Sequence, residues 1–355
     1  MTAGVRTVAR KRTRAPLSAE TEHDARFSRI VSIDPAGHLM FSTNIRLVPG
    51  TLLVCAIGWI TQIPLLSADE PLRIEDRWPW ILDLLAAPSM ANSEKAIKLL
   101  DYLRRDCPEV ASRLHTGDMT AADAENYLLE LQRRSSTIRS LAHRFAAIRP
   151  GIVDRFVRMF PDFKPSQATV YSTVSQFRFD GKVPHDRLNS LLLALDGMAK
   201  FHGKNAPIAV IFSHELFHLY HFQLNPPPAD PDQVPLYRLI WQEGLACYAS
   251  SLLNPDSPMQ DILFDPRLAI EGPKFVRSSA RQLLSDLQST DDIQTAEYMT
   301  YRTSGAAPPR MGYLIGYRIA AKLAKQHSLS ELARLRDPGL RFMMRREVGL
   351  LTTEP

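Results

Sequence analysis

Hydrophobic residues recur at helical spacing through most of this chain, and one window departs from that period. Between residues 69 and 163 apolar positions fall three and four apart, predicting helices over 80–87, 92–105, 121–148 and 152–160, with Asn92 as an N-cap. From Ala168 the period changes. The run ATVYSTVSQFRFDGKV alternates apolar with polar residues, is rich in β-branched and aromatic side chains, and turns at Asp180-Gly181. SLLLALDGMAKF reads as a second strand running into a turn. An apolar run beginning near Asn205 or Ala206 and stopped by Pro226, Pro227 and Pro228 predicts one long helix, and the prolines force an extended connection to a second, YRLIWQEGLACYASSLL. PRMGYLIGYRIAAKL predicts a third helix near the end. The implied class is α+β, mainly helical, with a small β-sheet.

The first long helix carries His214, Glu215 and His218 as His-Glu-x-x-His. Residues four apart stack on one helical face, so both imidazoles can grip one metal ion while the intervening glutamate reaches water activated there. A third ligand is needed. The metzincin pattern requires a helix-breaking Gly three residues after the second His and a third His three residues later, but His221 and Leu224 occupy those places. His221 shares the ligand face yet lies a turn beyond it. A ligand from a second helix remains, and Glu243 is the one carboxylate on its apolar segment, beside the small Gly244 and Ala246 and the packing residues Trp241, Leu245 and Tyr248.

HELFH, WQEGLACY about 25 residues later, and the late PRMGYLIGYRIAAKL together resemble the gluzincin metallopeptidases. More narrowly, the chain is similar to bacterial families known only as predicted zinc-dependent proteases, which share E-G-x-A-x-Y and G-Y-x-x-G segments. The resemblance spans Thr169 to Leu335. It implies a zincin-like catalytic domain with an active-site helix, and one zinc ion per chain held by His214, His218 and Glu243. It further implies Glu215 as general base, Tyr313 or Tyr317 as oxyanion stabiliser, and a peptide or protein substrate paired to a strand beside the cleft. One departure stands out. Thermolysin-type enzymes carry an acidic residue four positions after the ligand glutamate, where this chain has Cys247, so the partner of the ligand imidazoles is open.

Composition changes the picture at the N-terminus. The pI near 9.1 invites a nucleic-acid reading, but eight of the basic residues, against four acids, lie before residue 47, leaving the rest close to neutral. With no basic helix interleaved with aromatics, a nucleic-acid partner is not expected. Beyond Arg46 an uncharged stretch with an apolar core over 52–63, a break at Pro64 and Leu66-Ser67-Ala68 reads as a secretory signal cleaved after Ala68. An uncleaved anchor, the only membrane association foreseen, and a buried helix are the alternatives; Pro49, Gly50, Gln62 and Pro64 shorten the segment for spanning. A start at Met40 would give a signal of ordinary length. The expected organisation is therefore a disordered basic extension (1–39), a signal or anchor (40–68), a helical region (69–165) that packs on the core, and a zincin-like domain (166–355), exported to the periplasm or beyond.

Several side chains keep two meanings. Tyr313 and Tyr317 flank Gly312 and Gly316, whose four-residue spacing first signals close helix packing. Arg310 binds either a substrate carboxylate or a helix elsewhere. Cys107 and Cys247 pair in an oxidising compartment or are separately buried. The same ligand set serves a non-peptide amidase, and a silent binding module could keep the fold, although an intact Glu215 argues against silence.

Overall fold

A computed structural model describes residues 30–33, 39–42, 71–111, 118–228, 230, 233–301 and 305–353 of the 355, in two units divided after Ile63. The first unit contributes a hairpin, β1 (Ile30–Ile33) antiparallel to β2 (Leu39–Ser42), with Ile30 opposite Ser42. It falls partly within residues 1–39, where the pattern predicts no element. The apolar core 52–63 and the cleavage point at Ala68 lie outside the described residues.

The second unit is mainly helical around a four-stranded sheet. Its first half holds β3 (Arg73–Asp76), α1 (Trp78–Ala86), α2 (Asn92–Arg105), α3 (Pro108–Ala111) and α4 (Ala121–Met159). Then come β4 (Thr169–Thr173), β5 (Gly181–Lys182), β6 (Ser190–Ala194), α5 (Leu195–Phe201), α6 (Ile208–Leu224) and α7 (Leu236–Leu253). The remainder is α8 (Met259–Ile262), α9 (Pro266–Glu271), α10 (Val276–Asp286), α11 (Asp292–Met299), α12 (Met311–Leu323), α13 (Leu329–Ala333) and α14 (Gly339–Leu351). The strand order is β3-β4-β6-β5, with the first three parallel and β5 an antiparallel edge. Every residue of β6 is buried, as a strand covered on both faces requires.

The structure departs from the pattern at four places. The region before residue 163 is not wholly helical, because β3 pairs with β4; four residues with one inward apolar side chain, Ile74, are too short to show a period. The two helices expected on either side of Pro150 are one helix, α4. Ile138, Leu141, Phe145, Ile152 and Phe156 keep one buried stripe in register across the proline, and that packing outweighs the missing N–H. The alternating run 168–183 splits. After β4 the chain turns through left-handed Gln176 and Phe177, pinned by buried Asp196, which accepts the amides of Ser175 and Phe177, each at 2.9 Å, and the Tyr127 hydroxyl. The segment after β6 is a helix, α5, rather than a turn.

Helices α7 and α12 cross at glycines. A Cβ on Gly316 would lie 2.2 Å from the Ile240 carbonyl oxygen, and one on Gly244 would lie 2.1 Å from the Gly316 carbonyl carbon. Both obstacles are backbone and cannot rotate away. Gly316→Ala is therefore expected to destabilise the fold by at least about 2 kcal/mol through overpacking, read as a lowered denaturant midpoint. Unchanged stability would show that the two helices part freely.

Candidate metal centre

Helix α6 is apolar on nearly every face and is buried accordingly, so its polar residues are enclosed by design of the sequence rather than by chance of position. Its start is fastened by Arg144 of α4, which donates to the carbonyls of Lys204 and Ala206 at 2.7 and 3.0 Å. Its end is held where Asn225 donates to the Leu335 carbonyl. Phe145 of α4 meets Phe212 edge-on, fixing the helix from below. His214 and His218 then stand one turn apart, and α7 lays Glu243 against both.

The ligand atoms converge. The Nε2 atoms of His214 and His218 are 3.0 Å apart; Glu243 Oε2 lies 3.1 Å from the first and Oε1 3.5 Å from the second. All three residues offer an atom within 4.8 Å of the others. Three lone-pair donors aimed at one volume repel unless a cation or protons sit between them, and two imidazoles with a carboxylate are a zinc donor set. The residues fit the ion. Charge coupling points the same way: burial opposes ionisation of Glu243, but the two imidazoles outweigh it and hold the carboxyl well below its usual range. Burial lowers His214; it opposes ionisation of His218 as well, but Glu243 and Glu215 together outweigh it there and raise that imidazole.

The imidazoles are supported unequally. Cys247 fills the place where the gluzincin pattern carries an acid, with its Sγ 3.8 Å from His214 Nδ1. Burial pushes this thiol up, so it remains neutral. His218 Nδ1 has no partner among the described residues. Cys107 and Cys247 are both free and buried.

Glu215 faces the same cleft, a hollow of about 450 Å³. Burial pushes its carboxyl up to about 8, and a divalent cation beside it would pull that value back down. It lies directly against the edge strand: a Cβ on Gly181 would come within 2.7 Å of Glu215 Cγ and 2.9 Å of Oε1. The turn signal at Asp180-Gly181 therefore conceals a second role, since the missing side chain makes room for the glutamate. Asp180 is tied to His202 Nε2 at 2.7 Å, which anchors the strand on that side. Gly181→Ala is expected to displace Glu215 and cut kcat at least tenfold while zinc content is unchanged, as steady-state kinetics beside elemental analysis would show.

The other sequence candidates separate. Tyr313 lines the cleft, while Tyr317, a turn further along α12, lines a different hollow and meets Tyr248 edge-on. Arg310 lines the cleft too, nearly buried. His221 does not line it; the ring packs among Phe217 and Phe222, both nitrogens lack partners among the described residues, and burial drives it down to about 3. Sequence reasoning missed Phe264, which packs edge-on against His214 at 5.1 Å. No motif marks it, although its left-handed backbone is unusual for an aromatic residue.

A small mixed sheet with an antiparallel edge strand over a His-Glu-x-x-His helix, completed by a glutamate from the next long helix, defines a zincin-like α+β protein. Residues 84–345, well over half of the chain, match the family described as "Putative zinc dependent peptidase (DUF5700)", and the chain belongs to that family. No curated protein and no solved structure matches it.

Proposed function

We propose that this protein is an exported metallopeptidase with one zinc ion held by His214, His218 and Glu243. The observation that carries the reading is the convergence of those three ligands in a cleft that Glu215 also lines. Zinc bound there would act as a Lewis acid toward a carbonyl oxygen and lower the pKa of water. Glu215, raised by burial, is suited to take a proton during attack and return it to the leaving amine. Tyr313 offers a phenol on the same wall, held protonated by burial and by Glu243, as a donor to the developing oxyanion. As the outermost strand of the sheet, β5 is the candidate for main-chain pairing with an extended peptide next to the base.

Export rests on the basic flank and apolar core before residue 69; among the described residues, no helix is long and apolar enough to cross a membrane. The test is purification from the native host, with N-terminal sequencing, metal analysis and incubation with a peptide library. The reading expects a chain starting near Asp69, about one zinc, and cleavage abolished by chelation and restored by zinc. A metal-free, stably folded chain that cannot be loaded would overturn it.

A further inference from the structure

Among the charged groups that line the cleft, Arg310 is used by neither the metal site nor the proton chemistry. Arg310 caps the start of α12 with a left-handed backbone, φ 61°, and is 7% exposed. No carboxylate pairs with it among the described residues. Its guanidinium sits instead among three rings, 3.9 Å from the centroid of Tyr313, 5.0 Å from Tyr301 and 5.7 Å from Phe264. One nitrogen, Nη1, donates to the Tyr301 hydroxyl at 3.0 Å. Tyr313 shares a further side-chain hydrogen bond with the guanidinium, and among the described residues no other partner is seen for the rest of its five N–H groups, in a residue that lines the hollow.

A buried guanidinium without an anion is costly, and cation–π contacts offset only part of that cost. Spare donors in a planar fork are what a carboxylate takes up in a bidentate pair, and the apolar rings around them strengthen such a pair. Strain points to the same place, since a non-glycine residue in the left-handed region is uncommon and tends to mark a working site. Distance limits which carboxylate is read. Phe264 meets both Arg310 and His214, so the guanidinium is within about 11 Å of the His214 ring, a span that three extended residues cover.

We infer that Arg310 is the specificity residue of the cleft and binds a substrate carboxylate within three residues of the scissile bond, either the chain's C-terminus or an acidic side chain. The inference rests on the metallopeptidase reading, and it can be tested without turnover. Zinc-loaded full-length protein carrying Glu215→Gln would be titrated with three dansylated tripeptides, followed by fluorescence anisotropy. The probes are dansyl-Gly-Leu-Phe as free acid, the same peptide as C-terminal amide, and dansyl-Gly-Leu-Glu amide.

The expected result is that at least one carboxylate-bearing probe binds about ten- to a hundredfold tighter than the neutral amide, the worth of a charge-assisted contact. That preference should vanish in Arg310→Gln and be partly kept in Arg310→Lys, with zinc content and circular dichroism unchanged. Preference for the free acid identifies the C-terminus; preference for the glutamyl amide identifies a side chain. Equal or undetectable binding of all three probes, or a preference that survives Arg310→Gln, overturns the inference. Failure of the peptidase reading looks different: the wild-type chain would bind the preferred probe and leave it, and the rest of a peptide library, uncut.

Discussion

Glu215→Gln is expected to lower kcat by about two to four orders of magnitude and to leave close to one zinc per chain. The amide is nearly isosteric with the carboxyl, so it fits the space beside Gly181 without moving the edge strand. It does not touch the three atoms that converge on the metal, because Glu215 is no member of that group. What it loses is the ability to accept a proton. Single-turnover kinetics with a peptide cut by the wild type, beside elemental analysis, separate the two effects. Full activity in the variant would remove Glu215 from the mechanism, and loss of zinc would recast it as a ligand.

Glu243→Ala is expected to abolish both zinc retention and hydrolysis. Losing a partner that only supports a metal ligand commonly weakens binding by about 10–100-fold, and removal of a ligand itself should exceed that range. Here the loss is compounded, since the two imidazoles stay in place, 3.0 Å apart, without the carboxylate that faces them both. A competition titration with a chromophoric chelator gives the affinity. Cys247→Ala provides the internal scale: it removes only the contact on His214 Nδ1 and should fall within the smaller range. Equal effects of the two substitutions would mean that Glu243 does not bind the ion.

The site was legible where its chemistry is local. His214, Glu215 and His218 lie within one stretch of a single helix, so their spacing alone states their geometry. Glu243 was readable because one carboxylate on an apolar helix is hard to explain otherwise, and the structure brings it to the histidines. Tyr313 and Tyr317 could not be separated by spacing, since residues four apart share a helical face; only the packing of neighbouring elements decides which of them reaches the cleft. The role of Gly181 was hidden for a related reason, because the contact with Glu215 joins a strand to a helix and leaves no periodic trace. The same holds for α4, where the stripe of buried residues was visible on each side of Pro150 and its continuity was not. Gly316 shows the gain and the limit together: its spacing from Gly312 announced a close approach, and only the structure shows the partner to be Gly244 of α7.

The attachment of α4 beneath α6 bears on how a peptidase of the proposed kind could be kept latent. Many secreted peptidases are restrained by a leading segment that is later clipped away. In this chain the helices before residue 165 supply Phe145 against α6, Arg144 to the carbonyls just before it, Tyr127 to the buried Asp196, and Trp78 to the carbonyl of Thr173 at the end of β4. These groups are the floor of the candidate site and the brace of the sheet beside it. A cut at that boundary would not release an enzyme from its inhibitor; it would divide one core into two fragments, each exposing the apolar face that the other had covered.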